Sequence, residues 1–228
     1  MLRRVGTRKI ETQRLVLRPL APEDADAMYH NFASDAEVSR FMRWTPYQSV
    51  EETKRDLMEI AASYASNQTY RWGVCLRDGT LIGTVGVSGM DERDERAEIA
   101  YCLGRAYWGQ GYAAEAIRGV LERMFSEVGL NRIEAYHAVD NPASGRVMQK
   151  AGMTLEGHAR QKYRTREGFQ DCDLYGITRE DWETQKEIEV YNALPVAFED
   201  FYGRGNRAGL HGQNARGPRK EMGARLCL

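Results

Sequence analysis

The sequence predicts a mixed α/β (α+β) domain. Its sheet is mostly antiparallel, with one central parallel strand pair and helices on both faces. Three observations carry this. Ala97–Leu103 and Arg132–Val139 read as strands with the best helix of the chain between them, and a strand–helix–strand unit implies one right-handed parallel crossover. Tyr70–Leu76 and Leu81–Ser88 flank Arg77-Asp78-Gly79-Thr80, where the Asp-Gly pair marks a hairpin and therefore antiparallel strands. At 228 residues the chain holds one full core but no second doubly wound half.

Element by element, Gln13–Leu20 alternates polar and apolar side chains as a strand does. Pro22 suits the first turn of a helix carrying Ala25, Met28, Tyr29 and Phe32 on one face. Ser34 with Glu37, and Ser49 with Glu52, each match a capping box. The second opens a helix with Thr53, Leu57, Ile60, Ala61 and Tyr64 on one stripe, and between the two lies an aromatic loop, Phe41–Tyr47. In the strongest helix, Tyr112 to Val128, apolar residues recur at i, i+3, i+4 and i+7, and Gly129 is a natural residue to end it. Pro142–Ala151 is the next helix, with Asn141 as N-cap and Pro142 at its first position. Leu155–Arg164 and Phe169–Thr178 close the domain as a hairpin around Glu167-Gly168.

Residues 1–9 form a basic N-terminal segment, residues 10–182 the folded domain, and residues 183–228 an extension that reads as flexible from Gly203. Lys plus Arg number 32 against 33 Asp plus Glu, a balance that gives no global reason to expect nucleic acid. The apolar runs fall short of the roughly 18 residues of a membrane helix, and the first nine residues lack the apolar region of a secretory signal. Four scattered cysteines and four scattered histidines speak against a metal site and for reduced thiols in the cytoplasm.

The chemistry is densest at Trp108-Gly109-Gln110-Gly111-Tyr112-Ala113-Ala114, between a strand and the N-terminus of the best helix. Glycines let backbone N–H groups approach an anion, and the first helical turn adds free N–H groups and a partial positive charge. Together they suit a pyrophosphate. The same residues match the G-x-G-x-x-G/A dinucleotide fingerprint, with Asp140 after the next strand as a ribose-binding acid. An NAD-dependent oxidoreductase is thus an alternative, although five residues separate the strand from the glycines. A third reading makes the basic tail an RNA- or ribosome-binding module, though it lacks interleaved aromatics.

Four stretches occur in an order that resembles the GNAT N-acetyltransferases, within them the ribosomal-protein N-terminal (Rim-type) branch: ETQRLVLRPLAPEDADAMY, RWTPYQSVEET, EIAYCLGRAYWGQGYAAEAI and NPASGRVMQKAGMTLEG. The resemblance spans roughly Ile10–Trp182. It implies acetyl-CoA as co-substrate, a small amine or protein N-terminus as acceptor, and a homodimer. It implies that Cys102, Leu103 and the turn Trp108, Gly109, Gln110, Gly111, Tyr112, Ala113 and Ala114 bind pantetheine and pyrophosphate, with a gap between the parallel strands for the thioester. Trp108 stands where the superfamily commonly has Gln or Arg. By the same resemblance Asn141 bonds the pantetheine arm, Arg146, with Arg105 and Lys150, meets the nucleotide phosphates, and Ser144 protonates the leaving thiolate. Many members carry a Tyr four residues further on for that task, where this chain has Met148. Glu98 is the candidate base. A further acid that some relatives carry in the closing hairpin is missing from Gln161-Lys162-Tyr163. His137 and Cys102 are more simply packing residues, and Trp44, Tyr47 and Trp72 either wall the acceptor pocket or pack the core.

Overall fold

The computed structural model describes residues 1–193. The strands are β1 (Ile10–Glu11), β2 (Leu15–Arg18), β3 (Arg71–Leu76), β4 (Leu81–Asp91), β5 (Arg96–Leu103), β6 (Arg132–Ala138), β7 (Thr154–Thr165) and β8 (Gly168–Thr178). They form one sheet in the order β1-β2-β3-β4-β5-β6-β8-β7. Every pairing is antiparallel except β5 with β6. The helices are α1 (Ala25–Met28), α2 (Ala36–Ser39), α3 (Val50–Ser63), α4 (Tyr112–Arg123), α5 (Pro142–Lys150) and α6 (Arg179–Ala193). Helices α1 and α4 each continue into a wider turn, Tyr29–Ala33 and Met124–Val128. Among the described residues no helix is long and apolar enough to cross a membrane.

Strand alternation divides the core between the two sheet faces. Trp72, Val74 and Ile82 join α4 residues Ile117, Val120 and Leu121 in one cluster. Their strand neighbours Cys75 and Leu81 join Met28, Phe32 and Leu57 in another. Successive side chains point to opposite faces, so α4 and α5 cover one side and α1–α3 the other. Trp72 is fully buried on the α4 side and donates its indole N–H to the Arg8 carbonyl at 2.7 Å. It packs the core and walls no acceptor pocket.

One cap differs from the sequence expectation. Ser34 is itself helical, and its hydroxyl donates back to the Tyr29 carbonyl at 2.8 Å. The extended Asp35 therefore caps α2, accepting from the Glu37 N–H at 2.9 Å. At α3, Ser49 caps as expected, accepting from Glu52 N–H at 3.1 Å, while the Glu52 carboxylate takes the Gln48 N–H.

Segments outside the expected domain limits also touch it. Arg3 N–H donates to the Val128 carbonyl at 2.8 Å. Beyond Trp182, which stacks on Phe125 at 5.4 Å, Gln185 donates to the Gly152 carbonyl and Lys186 pairs with Glu122 at 2.8 Å. The extension beyond residue 193, including the expected flexible tail, lies outside the described residues.

Candidate functional site

The parallel pair is short. β5 and β6 pair at Arg96–Arg132, Ala97–Ile133 and Glu98–Glu134 and then part. β5 stays bonded to β4 as far as Leu103, and β6 to β8 as far as Ala138. Past Glu98, the β6-facing backbone of β5 has no partner strand, so a wedge-shaped gap opens toward the end of the sheet from which the Gly109–Ala114 turn leaves.

At that end the turn is shaped by two left-handed glycines, Gly109 at φ +76° and Gly111 at φ +82°. An ordinary residue adopts this conformation only at a cost. Among the described residues, no backbone N–H from Gly109 to Ala114 donates to a protein acceptor; the first turn bond is Glu115 N–H to the Gly111 carbonyl. Six successive donors at the positive end of a helix make an anion cradle. The Trp108 side chain does not contribute a donor, because its indole N–H is spent on the Leu103 carbonyl at 2.6 Å. Gln110 likewise bonds the Ala106 carbonyl. Leu103 and Ala114 are buried, so these two can meet a ligand only through their backbone.

Glu115 anchors the cradle to the sheet. It is 8% exposed and accepts from the Thr12 hydroxyl at 2.7 Å, the Arg14 N–H at 2.7 Å and the Arg14 Nε at 2.6 Å. Arg14 in turn donates to the Gln110 carbonyl and lies 4.5 Å over the Tyr112 ring. Burial pushes the Glu115 carboxyl up, but the bonds from Thr12 and Arg14 outweigh it and hold it below its ordinary value. Glu115→Ala is expected to lose about 1–2 kcal/mol in urea unfolding, because it leaves the half-buried Thr12 hydroxyl and the Arg14 N–H without their acceptor, while the solvent-exposed guanidinium adds little. A carboxyl lowered by folding stabilises fully above its unfolded pKa, about 4.3, and that contribution is lost as the pH falls from there through the lowered folded value. The variant's stability should therefore fall less steeply than the wild type's between pH 5 and 3.

Ser144 lies in the first turn of α5, and its Oγ stands 2.8 Å from the Tyr101 hydroxyl, which also donates to the Ser144 carbonyl at 3.0 Å. Burial pushes the Tyr101 phenol far up and keeps it neutral. α5 reaches this position because Gly145 lies against β6 and β8. A Cβ there would stand 2.5 Å from His137 Nε2 and 3.0 Å from the Tyr175 hydroxyl. His137 is buried beneath this helix with Nδ1 at 2.7 Å from the Ala138 carbonyl, a packing role. Asn141 occupies the cap position but makes no side-chain cap bond. Its ψ of 61° is not the extended value of a capping residue, and its amide is left for another partner. Arg146 is exposed on the same helix. Arg105 is committed elsewhere, to Asp35 at 2.5 Å.

Glu98 lies on the other face. It is half-buried, and the Ser88 hydroxyl donates to its Oε1 at 2.9 Å. Cys102 shares that face, 3.5 Å from Thr84 Oγ1, and burial pushes its thiol up. A thiol kept protonated is a poor nucleophile, so Cys102 serves packing. Tyr101, missed in the sequence, is one residue out of phase with Glu98 and Ala100 and so faces Ser144. The gap therefore has an anion cradle and a hydroxyl pair toward one face and a carboxylate toward the other.

A turn of unpartnered N–H groups at the mouth of a split parallel pair is an arrangement that suits an acyl-CoA-dependent acyltransferase. The acetyltransferase (GNAT) domain model matches residues 14–154, and the chain belongs to the GNAT acetyltransferase family. It is 36% identical over 171 residues to the uncharacterized N-acetyltransferase YoaA of Bacillus subtilis (strain 168), covering 75% of this chain and 96% of that one. Its fold matches the ribosomal-protein-S5-alanine acetyltransferase of Vibrio fischeri, with TM-score 0.68, 21% identity and coverage of 77% and 98%. It also matches the microcin C7 self-immunity acetyltransferase MccE, solved with acetyl-CoA and AMP, with TM-score 0.66, 19% identity and coverage of 73% and 93%. The chain is an acyl-CoA-dependent acetyltransferase. The oxidoreductase alternative falls with this finding, and a sheet with a single parallel pair also lacks the doubly wound half a dinucleotide needs.

Proposed function

We propose that this acetyltransferase acts on a primary α-amine, of a protein N-terminus or a small molecule, with Glu98 and Ser144 as the proton-handling pair. The observation that carries it is the gap with unlike chemistry at its two faces. The Gly109–Ala114 N–H groups hold the pyrophosphate, with Trp108 packing the turn and Arg146 reaching the nucleotide. Asn141 bonds the pantetheine arm. Of the backbone around Cys102–Leu103, the Leu103 N–H lies on the edge of β5 that has no partner strand, and it stabilises the negative charge that develops on the thioester carbonyl. The amine nitrogen attacks that carbon from the Glu98 side. Glu98 takes the amine proton through a water, the C–S bond breaks, and the thiolate receives a proton from Ser144, whose hydroxyl Tyr101 holds in place. The acetyl-CoA bound in MccE supports the same co-substrate here.

The acceptor class follows from the small number of acids at the site, where Glu98 alone takes the amine proton and does so through a water. Neutralising a lysine side chain at pH 7 costs roughly 4.6 kcal/mol and an α-amine only about 1.2 kcal/mol. The closing hairpin adds no acid at Gln161-Lys162-Tyr163, and the Tyr163 hydroxyl is spent on the Phe41 carbonyl at 2.7 Å. An N-terminally free peptide without lysine is expected to turn over faster than a blocked peptide with a free lysine, at a rate climbing from pH 7 to 8.5. Equal or faster turnover of the blocked peptide would overturn the assignment.

A further inference from the structure

We propose that the acceptor carries a carboxylate or phosphate beside its amine and that Arg43, assisted by Lys162, binds that anion; this rests on the acetyltransferase reading above. Register and alternation put Glu98, Ala100 and Cys102 of β5 on the same face as Glu134, Tyr136 and Ala138 of β6. Tyr136 lies past the last β5–β6 pair, on the rim of the gap. The loop of residues 40–49 brings Arg43 onto this rim.

Arg43 Nη2 donates to the Tyr136 hydroxyl at 2.9 Å, and its guanidinium lies 5.1 Å from the centre of the Tyr163 ring. Lys162 Nζ stands 4.8 Å over the Tyr136 ring, brought there by the irregular stretch of β7 between Ala159 and Tyr163. The two tyrosine rings are 5.3 Å apart. The base is close by. The bond to Tyr136, and beyond it the charge of Glu98, raise the Arg43 guanidinium above its ordinary value. Burial, with a further push from Glu98, raises the Tyr136 phenol.

Arg43 and Lys162 are the cations that meet at Tyr136 on this rim, and neither has a carboxylate within 4.0 Å among the described residues, whereas neighbouring Arg40 pairs with Glu167 at 3.4 Å. A guanidinium held by one hydroxyl and one ring face keeps most of its five donors, in a fork that fits carboxylate or phosphate. Two cations at the rim also repel a polycation. They lower the pKa of an amine beside them, and an anion seated on Arg43 no longer raises it. The chemistry fits an amino acid or a phosphorylated amine and disfavours a polyamine.

The test uses the full-length protein and measures kcat/KM, corrected for the neutral fraction of each amine. The panel is an amino acid against its amide, a phosphoryl amine against its hydroxyl parent, spermidine, and a peptide with glutamate in second position. The anionic member of each pair is expected to be at least about tenfold faster. Arg43→Gln should reduce that ratio to within about threefold, and Arg43→Lys should fall between, while acetyl-CoA affinity by calorimetry stays put. Preference for the glutamate peptide over every small anionic amine would place the anion on a polypeptide, and the reverse on a small molecule. Equal or faster turnover of neutral amines or spermidine, or an unchanged ratio in Arg43→Gln, overturns the proposal. So does acetyl-CoA binding without transfer to any anionic amine, which leaves the co-substrate reading intact. Failure to bind acetyl-CoA would sink that reading instead.

Discussion

Gly111→Val is expected to bind acetyl-CoA roughly a hundredfold more weakly, which corresponds to the loss of about two charge-assisted hydrogen bonds. Gly111 sits in the middle of the six unpartnered N–H groups and caps α4 in the left-handed region at φ +82°. A Cβ there would only touch Arg14 Nη2, at 3.4 Å, so the protein interior accommodates it. The ligand does not, because a branched side chain rises among the donors a pyrophosphate must approach. The backbone cost of valine at positive φ, about 1–2 kcal/mol, should lower the melting temperature by a few degrees without unfolding the domain. Calorimetry of acetyl-CoA binding, beside circular dichroism to show a folded variant, separates the two effects. Undiminished affinity would remove the phosphate site from this turn.

Much of this was readable in the chain, for reasons that differ between elements. The strand–helix–strand pattern over Ala97–Val139 and the Asp78-Gly79 hairpin are local signals, and they place the parallel pair and its antiparallel neighbours. The glycines at 109 and 111 announce a left-handed turn because few other residues tolerate one. Distances across the sheet were not readable. Nothing in Phe41–Tyr47 foretells that Arg43 reaches Tyr136, 93 residues away. Tyr101 was passed over because alternation sets it on the face away from Glu98, where only the docking of α5 on Gly145 supplies its partner. The Ser34 cap failed for a local reason: two adjacent polar residues compete for one helix start, and the backbone turn ending at Ser34 hands it to Asp35.

Ser144→Ala is expected to lower kcat by about 10²–10⁴-fold, the range of one general acid, while the KM for acetyl-CoA moves far less. In the proposed mechanism the hydroxyl is needed only when the thiolate leaves, so ground-state binding of acetyl-CoA should persist. Tyr101 makes the experiment more discriminating. Its phenol is the protein group that the Ser144 hydroxyl bonds, at 2.8 Å, and it is held neutral by burial. Tyr101→Phe keeps the ring and removes that partner together with the bond to the Ser144 carbonyl. It should lower kcat by less than Ser144→Ala does. The double variant should be no slower than Ser144→Ala alone, because two groups on one proton path do not add. Strictly additive losses would mean that Tyr101 acts on the thioester independently of Ser144. A kcat within about threefold of wild type in Ser144→Ala would assign thiolate protonation to Tyr101 itself or to water, contrary to the general-acid role.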